Sequence, residues 1–114
     1  IRERRCLTLE GNGKFYYILL KDVLYIESLG DEIGILVIDG REYILRMPLK
    51  QMFFLIHDDF IRFNRQQIVN ARYIDHIKNE KGVLVNREEL VISERERKNV
   101  VEKYAEYIFR MRLK

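Results

Sequence analysis

Residues Phe60 to Asn70 read FIRFNRQQIVN, and this stretch sets the terms for the rest of the chain. Phe60 to Arg65 alternates apolar and polar residues only in part, and Gln66 to Asn70 leads on to another strand-like segment at Tyr73 to Ile77. Arg62, Asn64, Arg65, Gln66 and Gln67 place two Arg and three amide side chains within six positions, with no acid among them. Arg pairs bidentately with guanine N7 and O6, and Asn or Gln with adenine N6 and N7, so these residue types at a strand end suit reading of a DNA major groove. Polar turns of the same composition also occur as plain surface, so the cluster alone leaves both readings open.

Upstream, strand signals dominate. Lys14 to Leu20 (KFYYILL) and Asp22 to Ser28 (DVLYIES) are rich in aromatic and branched residues, which fit a pleated, partly buried surface. Gly11-Asn12-Gly13 marks a turn between an opening strand at Cys6 to Glu10 and the first of these. Ile33 to Ile38 and Arg41 to Met47 flank Asp39-Gly40, a dipeptide that favours a type I′ hairpin turn. Pro48, with Leu49, Met52, Phe53 and Ile56 at helical spacing, predicts a short amphipathic helix from Pro48 to Ile56, ended by His57 and Asp58-Asp59. The Met and aromatic stripe of that helix reads as core. So do Phe15, Tyr16, Tyr17, Tyr25, Tyr43 and Phe63, most of which alternate with aliphatics rather than forming a base-stacking platform.

Downstream, Lys81-Gly82 looks like a turn, and Val83 to Val85 and Leu90 to Ile92 form a final hairpin around the polar connection Asn86 to Glu89. Ser93 followed by Glu96 is the pattern of a capping box, opening a helix from about Glu94 to Arg112 with Val100, Val101, Tyr104, Ile108 and Met111 as its apolar stripe. Arg95 and Arg97 stand in its first turn, where the helix dipole is already positive. Cations there make sense if an anion such as a DNA phosphate sits in front of the helix. Glu94 and Glu96 partly cancel that charge, so a plain mixed-charge first turn is the other reading.

The composition narrows the function classes. A chain of 114 residues is one domain's worth, and 47% hydrophobic with 34% charged residues supplies a core rather than a disordered segment. No apolar run approaches the roughly 20 residues of a membrane span. One Cys and two His give no internal disulfide and no cluster at metal-ligand spacing. There is no Gly-rich phosphate loop, nucleophile elbow or paired His on one helical face, so an enzyme is not expected, and neither a metal nor a cofactor. Residues 1 to 61 hold 8 Lys and Arg against 10 Asp and Glu, whereas residues 62 to 114 hold 13 against 8, which makes the second half the candidate anion-facing half.

The order of these motifs resembles the LytTR family of bacterial DNA-binding domains, over nearly the whole chain. Asp22 to Ser28 is similar to the family's "dI-yiEs" strand, Phe60 to Arg65 with Ile68 to Asn70 to its "FiRihRSyiVN" element, and Leu90 to Arg95 to its closing "lpvSr" segment. The resemblance implies a mainly β fold, an elongated stack of small antiparallel sheets with one short internal helix and a C-terminal helix, in which loops enter successive major grooves. It implies residues 1 to 114 as a single domain excised from a longer cytoplasmic response regulator, which fits a first residue that is Ile1 and not Met. A receiver or sensor domain would lie upstream, and the partner would be double-stranded DNA, bound as a homodimer at promoter direct repeats without membrane contact.

Carried over by position, Arg65 matches the family's base-contacting residue, Gln66 stands where Ser is usual, and Arg95 matches the contact near the last strand-to-helix junction. Asn64, Gln67, Arg97 and Lys98 are expected to position the DNA backbone, while Val69 and Asn70 belong to the fold. The third contact region corresponds to Leu29 to Gly34, where Asp31 and Glu32 are acidic although a groove-facing loop prefers donors. Two other classes stay open: a protein-interaction or ligand-sensing module on the same β scaffold, and a single-strand or RNA binder.

Overall fold

The computed structural model describes residues 6–11, 13–56 and 59–112. They are mainly β and fall into two compact units, residues 1–57 and 58–114. No helix among the described residues is long and apolar enough to cross a membrane.

In the first unit, β1 (Cys6–Gly11) and β2 (Lys14–Leu19) form an antiparallel hairpin, with Gly13 at φ 76° supplying the left-handed turn residue. Alternation along β2 buries Ile18 and leaves Phe15 and Tyr17 exposed. A 3-10 turn at Leu20–Asp22 then feeds β3 (Val23–Ser28), which pairs with β4 (Ile33–Val37), and β4 pairs in turn with β5 (Glu42–Leu45). Four successive residues of β3, Val23 to Ile26, are buried, the continuous apolar pattern of a strand covered on both faces. Tyr16 and Tyr43 meet edge to face at 5.3 Å and join β2 to β5.

Two expectations change here. The β4–β5 turn is a three-residue loop and not type I′: the Gly40 amide donates to the Val37 carbonyl (2.8 Å), the Val37 amide to that of Arg41 (2.9 Å), and Gly40 takes the left-handed position at φ 97°. The Asp39 carboxylate, not a second positive φ, completes the turn by accepting from the Arg41 amide at 3.0 Å. The internal helix is only α1 (Leu49–Met52), capped by Pro48 without a side-chain hydrogen bond. Leu49 and Met52 are buried against β3, whereas Phe53, Phe54 and Leu55 are exposed, so the apolar stripe ends after one turn. His57 and Asp58 lie outside the described residues.

In the second unit, β6 (Phe60–Asn64) and β7 (Gln67–Asn70) form a hairpin with a bulge between Arg62 and Asn64. Val69 and Asn70 are buried, and the Asn70 side chain accepts from the Arg72 amide at 3.0 Å to cap a 3-10 turn at Ala71–Tyr73. Then β8 (Ile74–Lys78), β9 (Lys81–Leu84) and β10 (Glu89–Val91) form an antiparallel meander. The first meander turn is Asn79-Glu80, with Asn79 at φ 57°, and not Lys81-Gly82. Gly82 lies within β9 because its missing side chain leaves room for the Phe63 ring, which any Cβ there would strike.

The chain closes with a 3-10 turn at Glu94–Glu96 and α2 (Arg97–Arg112), which packs on β6. The capping box does not form. The Ser93 amide, which Glu96 would have to satisfy, already donates to the Phe63 carbonyl at 3.0 Å, and the Glu96 amide bonds the Ser93 carbonyl at 2.9 Å. Val100 and Tyr107 are the buried residues of α2, whereas Val101 is exposed, so the docking stripe is rotated from the expected one. The Tyr104 hydroxyl donates to the Ile74 carbonyl at 3.1 Å, and Arg110 pairs with Asp59 at 3.1 Å.

Candidate nucleic-acid interface

The tip of the β6–β7 hairpin is the two-residue link Arg65-Gln66, fixed from within by Asn64. The Asn64 Oδ1 accepts from the Gln66 amide at 2.8 Å, while its Nδ2 donates to Gln67 Oε1 at 3.0 Å and to the Val91 carbonyl at 2.7 Å. The last bond joins the tip to β10, and the Ser93 amide bond to Phe63 repeats that link one step further along. Arg62 braces the other side, its Nη2 donating to the Arg65 carbonyl (3.0 Å) and its Nε to that of Asn64 (3.2 Å). These bonds occupy the polar backbone of a sharp turn and leave the Arg65 and Gln66 side chains exposed.

The β10–α2 junction is thereby held beside the tip. Arg62, Arg65, Ser93, Arg95 and Glu96 line one concavity of about 560 Å³, three arginines to one acid. Arg65 and Arg95 are exposed and make no ion pair with a described residue. Next to it, Asn64, Arg65, Gln66, Gln67, Glu89, Leu90, Val91 and Ser93 line a second hollow of about 470 Å³. The two hollows share Arg65 and Ser93.

Of the residues singled out from sequence, Arg65, Gln66 and Arg95 are thus brought together with their side chains free. Asn64 is engaged in holding the tip. Arg97 reaches back to Glu80 at 3.2 Å with its Nε buried, so it is committed to the β8–β9 turn. Lys98 is exposed on α2. The acidic loop belongs to the first unit, where the exposed Asp31 pairs with Arg46 at 3.1 Å. Sequence reading missed the bracing role of Arg62 and the Val91 and Ser93 backbone groups. No short-range sequence signal marks the latter, because their partners Asn64 and Phe63 lie about 30 positions earlier in the chain.

A small, mainly β module that braces a hairpin tip by hydrogen bonds and aims unpaired arginines from the tip and from a strand-to-helix junction has the build of a loop-reading DNA-binding domain. The LytTr DNA-binding domain model matches residues 13–105, and the chain belongs to that family. A solved structure described as the LytTr DNA-binding domain of a methyl-accepting/DNA response regulator from Bacillus cereus superposes with a TM-score of 0.72 at 19% identity, covering 87% of this chain and 95% of that one. No match is found among curated proteins.

Proposed function

We propose that this domain binds double-stranded DNA sequence-specifically to regulate transcription, reading bases with Arg65, Gln66 and Arg95, as the output domain of a cytoplasmic response regulator. The observation that carries the reading is the convergence of Arg65 and Arg95, both exposed and unpaired, on one concavity. A guanidinium in an ion pair must break it to bind a base, whereas these two are available in a preset geometry. Lys98 and Gln67 add backbone contacts at the rim. The site has no catalytic role in this reading, and a homodimer on direct repeats is its natural mode, since a tip and a junction of one domain cover a short half-site.

Selection of duplexes from a random DNA pool tests it. The parent enriches one motif, and an Arg65→Ala, Arg95→Ala double variant that melts normally loses it, because each good bidentate pair carries about 1–3 kcal/mol of discrimination. Enrichment of the same motif by the double variant overturns the assignment. No enrichment by a folded parent overturns the DNA reading itself. It would favour a protein-interaction module, for which exposed Phe15, Tyr17 and Phe54 on the first unit speak.

A further inference from the structure

The β8–β9 hairpin carries two lysines in an arrangement that a sheet alone does not favour. Lys78 and Lys81 face each other directly across the strands at the two ends of the Asn79-Glu80 turn, both exposed. Like charges opposite each other in an antiparallel pair, with Cβ atoms about 5 Å apart, are destabilising. The nearby acids do not resolve this. Glu80 is turned to Arg97 at 3.2 Å, and Glu89 pairs with Lys81 at 3.6 Å in an exposed, weak contact, leaving Lys78 without an ion pair among the described residues.

The turn is also anchored in the interface. The Ile92 amide donates to the Glu80 carbonyl at 2.8 Å, next to Ser93, and the Arg97–Glu80 pair fixes the same turn to the start of α2, two residues past Arg95. Lys78 and Lys81 line a shallow concavity of about 300 Å³ with Asn79, Glu80, Val83 and Glu89, and Glu89 also lines the hollow beside Arg65 and Gln66. A continuous strip of surface therefore runs from the reading tip to the lysine pair.

We propose that the β8–β9 tip is a second DNA contact that grips the phosphate backbone through Lys78 and Lys81. It rests on the DNA reading above and deepens it: Arg65 and Arg95 read bases, and the lysine pair sets the domain's position along the backbone. Two phosphates lying over the pair replace repulsion by charge-assisted contacts. The weak Lys81–Glu89 pair opens readily to permit this.

The test measures binding of the pool-selected duplex by fluorescence anisotropy as a function of salt, for the parent, a Lys78→Gln, Lys81→Gln double variant and an Arg87→Gln control. Arg87 sits on the β9–β10 turn at the opposite end of the same meander, where strand pairing runs from Val91 and Lys81 at one end to Glu89 and Val83 at the other. Losing two phosphate contacts makes the slope of log K against log salt shallower by about 1.8, so that between about 50 and 200 mM salt the parent loses about tenfold more affinity than the variant. The enriched motif stays the same, and Arg87→Gln keeps the parent slope. Slopes equal in all three proteins overturn the proposal and leave Lys78 the role of protecting the β8 edge. Shallowing by about half as much in the single-charge control overturns it too, by showing only a general loss of positive charge. Absence of any enriched duplex for the parent refutes the DNA reading itself and is distinguished from both.

Discussion

Replacing Asn64 by Ala removes three hydrogen bonds at once: to the Gln66 amide (2.8 Å), to Gln67 Oε1 (3.0 Å) and to the Val91 carbonyl (2.7 Å). At about 0.5–1.5 kcal/mol net each, they sum to about 1.5–4.5 kcal/mol, and because Asn64 is half-buried and water re-solvates the freed groups, about 2 kcal/mol is the expected loss. For a chain of this length that lowers the melting temperature by about 6–10 °C. The functional effect should exceed the stability effect, since the bond to Val91 is what holds the Arg65 tip beside the junction that carries Arg95. Thermal unfolding followed by circular dichroism measures the first, and duplex selection at a temperature well below the variant's transition measures the second. The expected outcome is a folded variant with a weakened or broadened motif. Asn64→Asp keeps the acceptor for the Gln66 amide but faces Val91 and Gln67 oxygens with a further oxygen, so it should be at least as damaging. An unchanged melting temperature with an unchanged motif in Asn64→Ala would refute the claim that this side chain organises the site.

Gly82→Ala should cost about 1–3 kcal/mol in chemical denaturation, because its Cβ meets the ring of fully buried Phe63, and a Phe63→Leu change in the same chain should recover part of that loss. Arg87 holds φ 78°, so Arg87→Gly should stabilise the domain by about 0.5–1 kcal/mol in the same assay. Burial first, then the charge of Asp75, raises the Tyr104 hydroxyl above its usual 10.0, and burial with Asp59 does the same for Tyr107. Folded pKa values above the unfolded ones mean that this stability is intact below about pH 10 and is lost as pH rises through the raised values. Melts across the alkaline range should show that loss, reduced in Tyr104→Phe, which itself costs about 1 kcal/mol at neutral pH for the bond to the Ile74 carbonyl.

The legible features were those whose cause is local. Aromatic and branched composition with the Gly11–Gly13 turn signal gave the β1–β2 hairpin and the strand that holds Val23 to Ile26, and the motif order gave Arg65 at a strand end and Arg95 near the last strand-to-helix junction. Where local cues had two solutions, a specific hydrogen bond that the motif does not contain chose between them, near in sequence in one case and distant in the other. Asp39-Gly40 fits a two-residue or a three-residue loop, and the Asp39 bond to the Arg41 amide selects the latter. Ser93 with Glu96 fits a capping box, but the Phe63 carbonyl takes the amide that the box needs.

The lysine pair shows why the site was less legible than the fold. A Lys-Gly dipeptide reads as a turn because glycine tolerates unusual dihedrals, yet glycine also serves wherever a Cβ cannot fit, and Phe63 imposes the second use on Gly82. Placing the turn at Lys81-Gly82 conceals the cross-strand opposition of Lys78 and Lys81. Placing it at Asn79-Glu80 creates that opposition and at the same stroke points Glu80 toward Arg97. The Asn64–Val91 bond is of the same kind, joining residues 27 positions apart that share no sequence periodicity. Arg65 and Gln66, the proposed base readers, are exposed at one hairpin tip and lie within one short run of sequence. The groups that aim them are satisfied by partners far along the chain, and only the folded backbone brings those partners together.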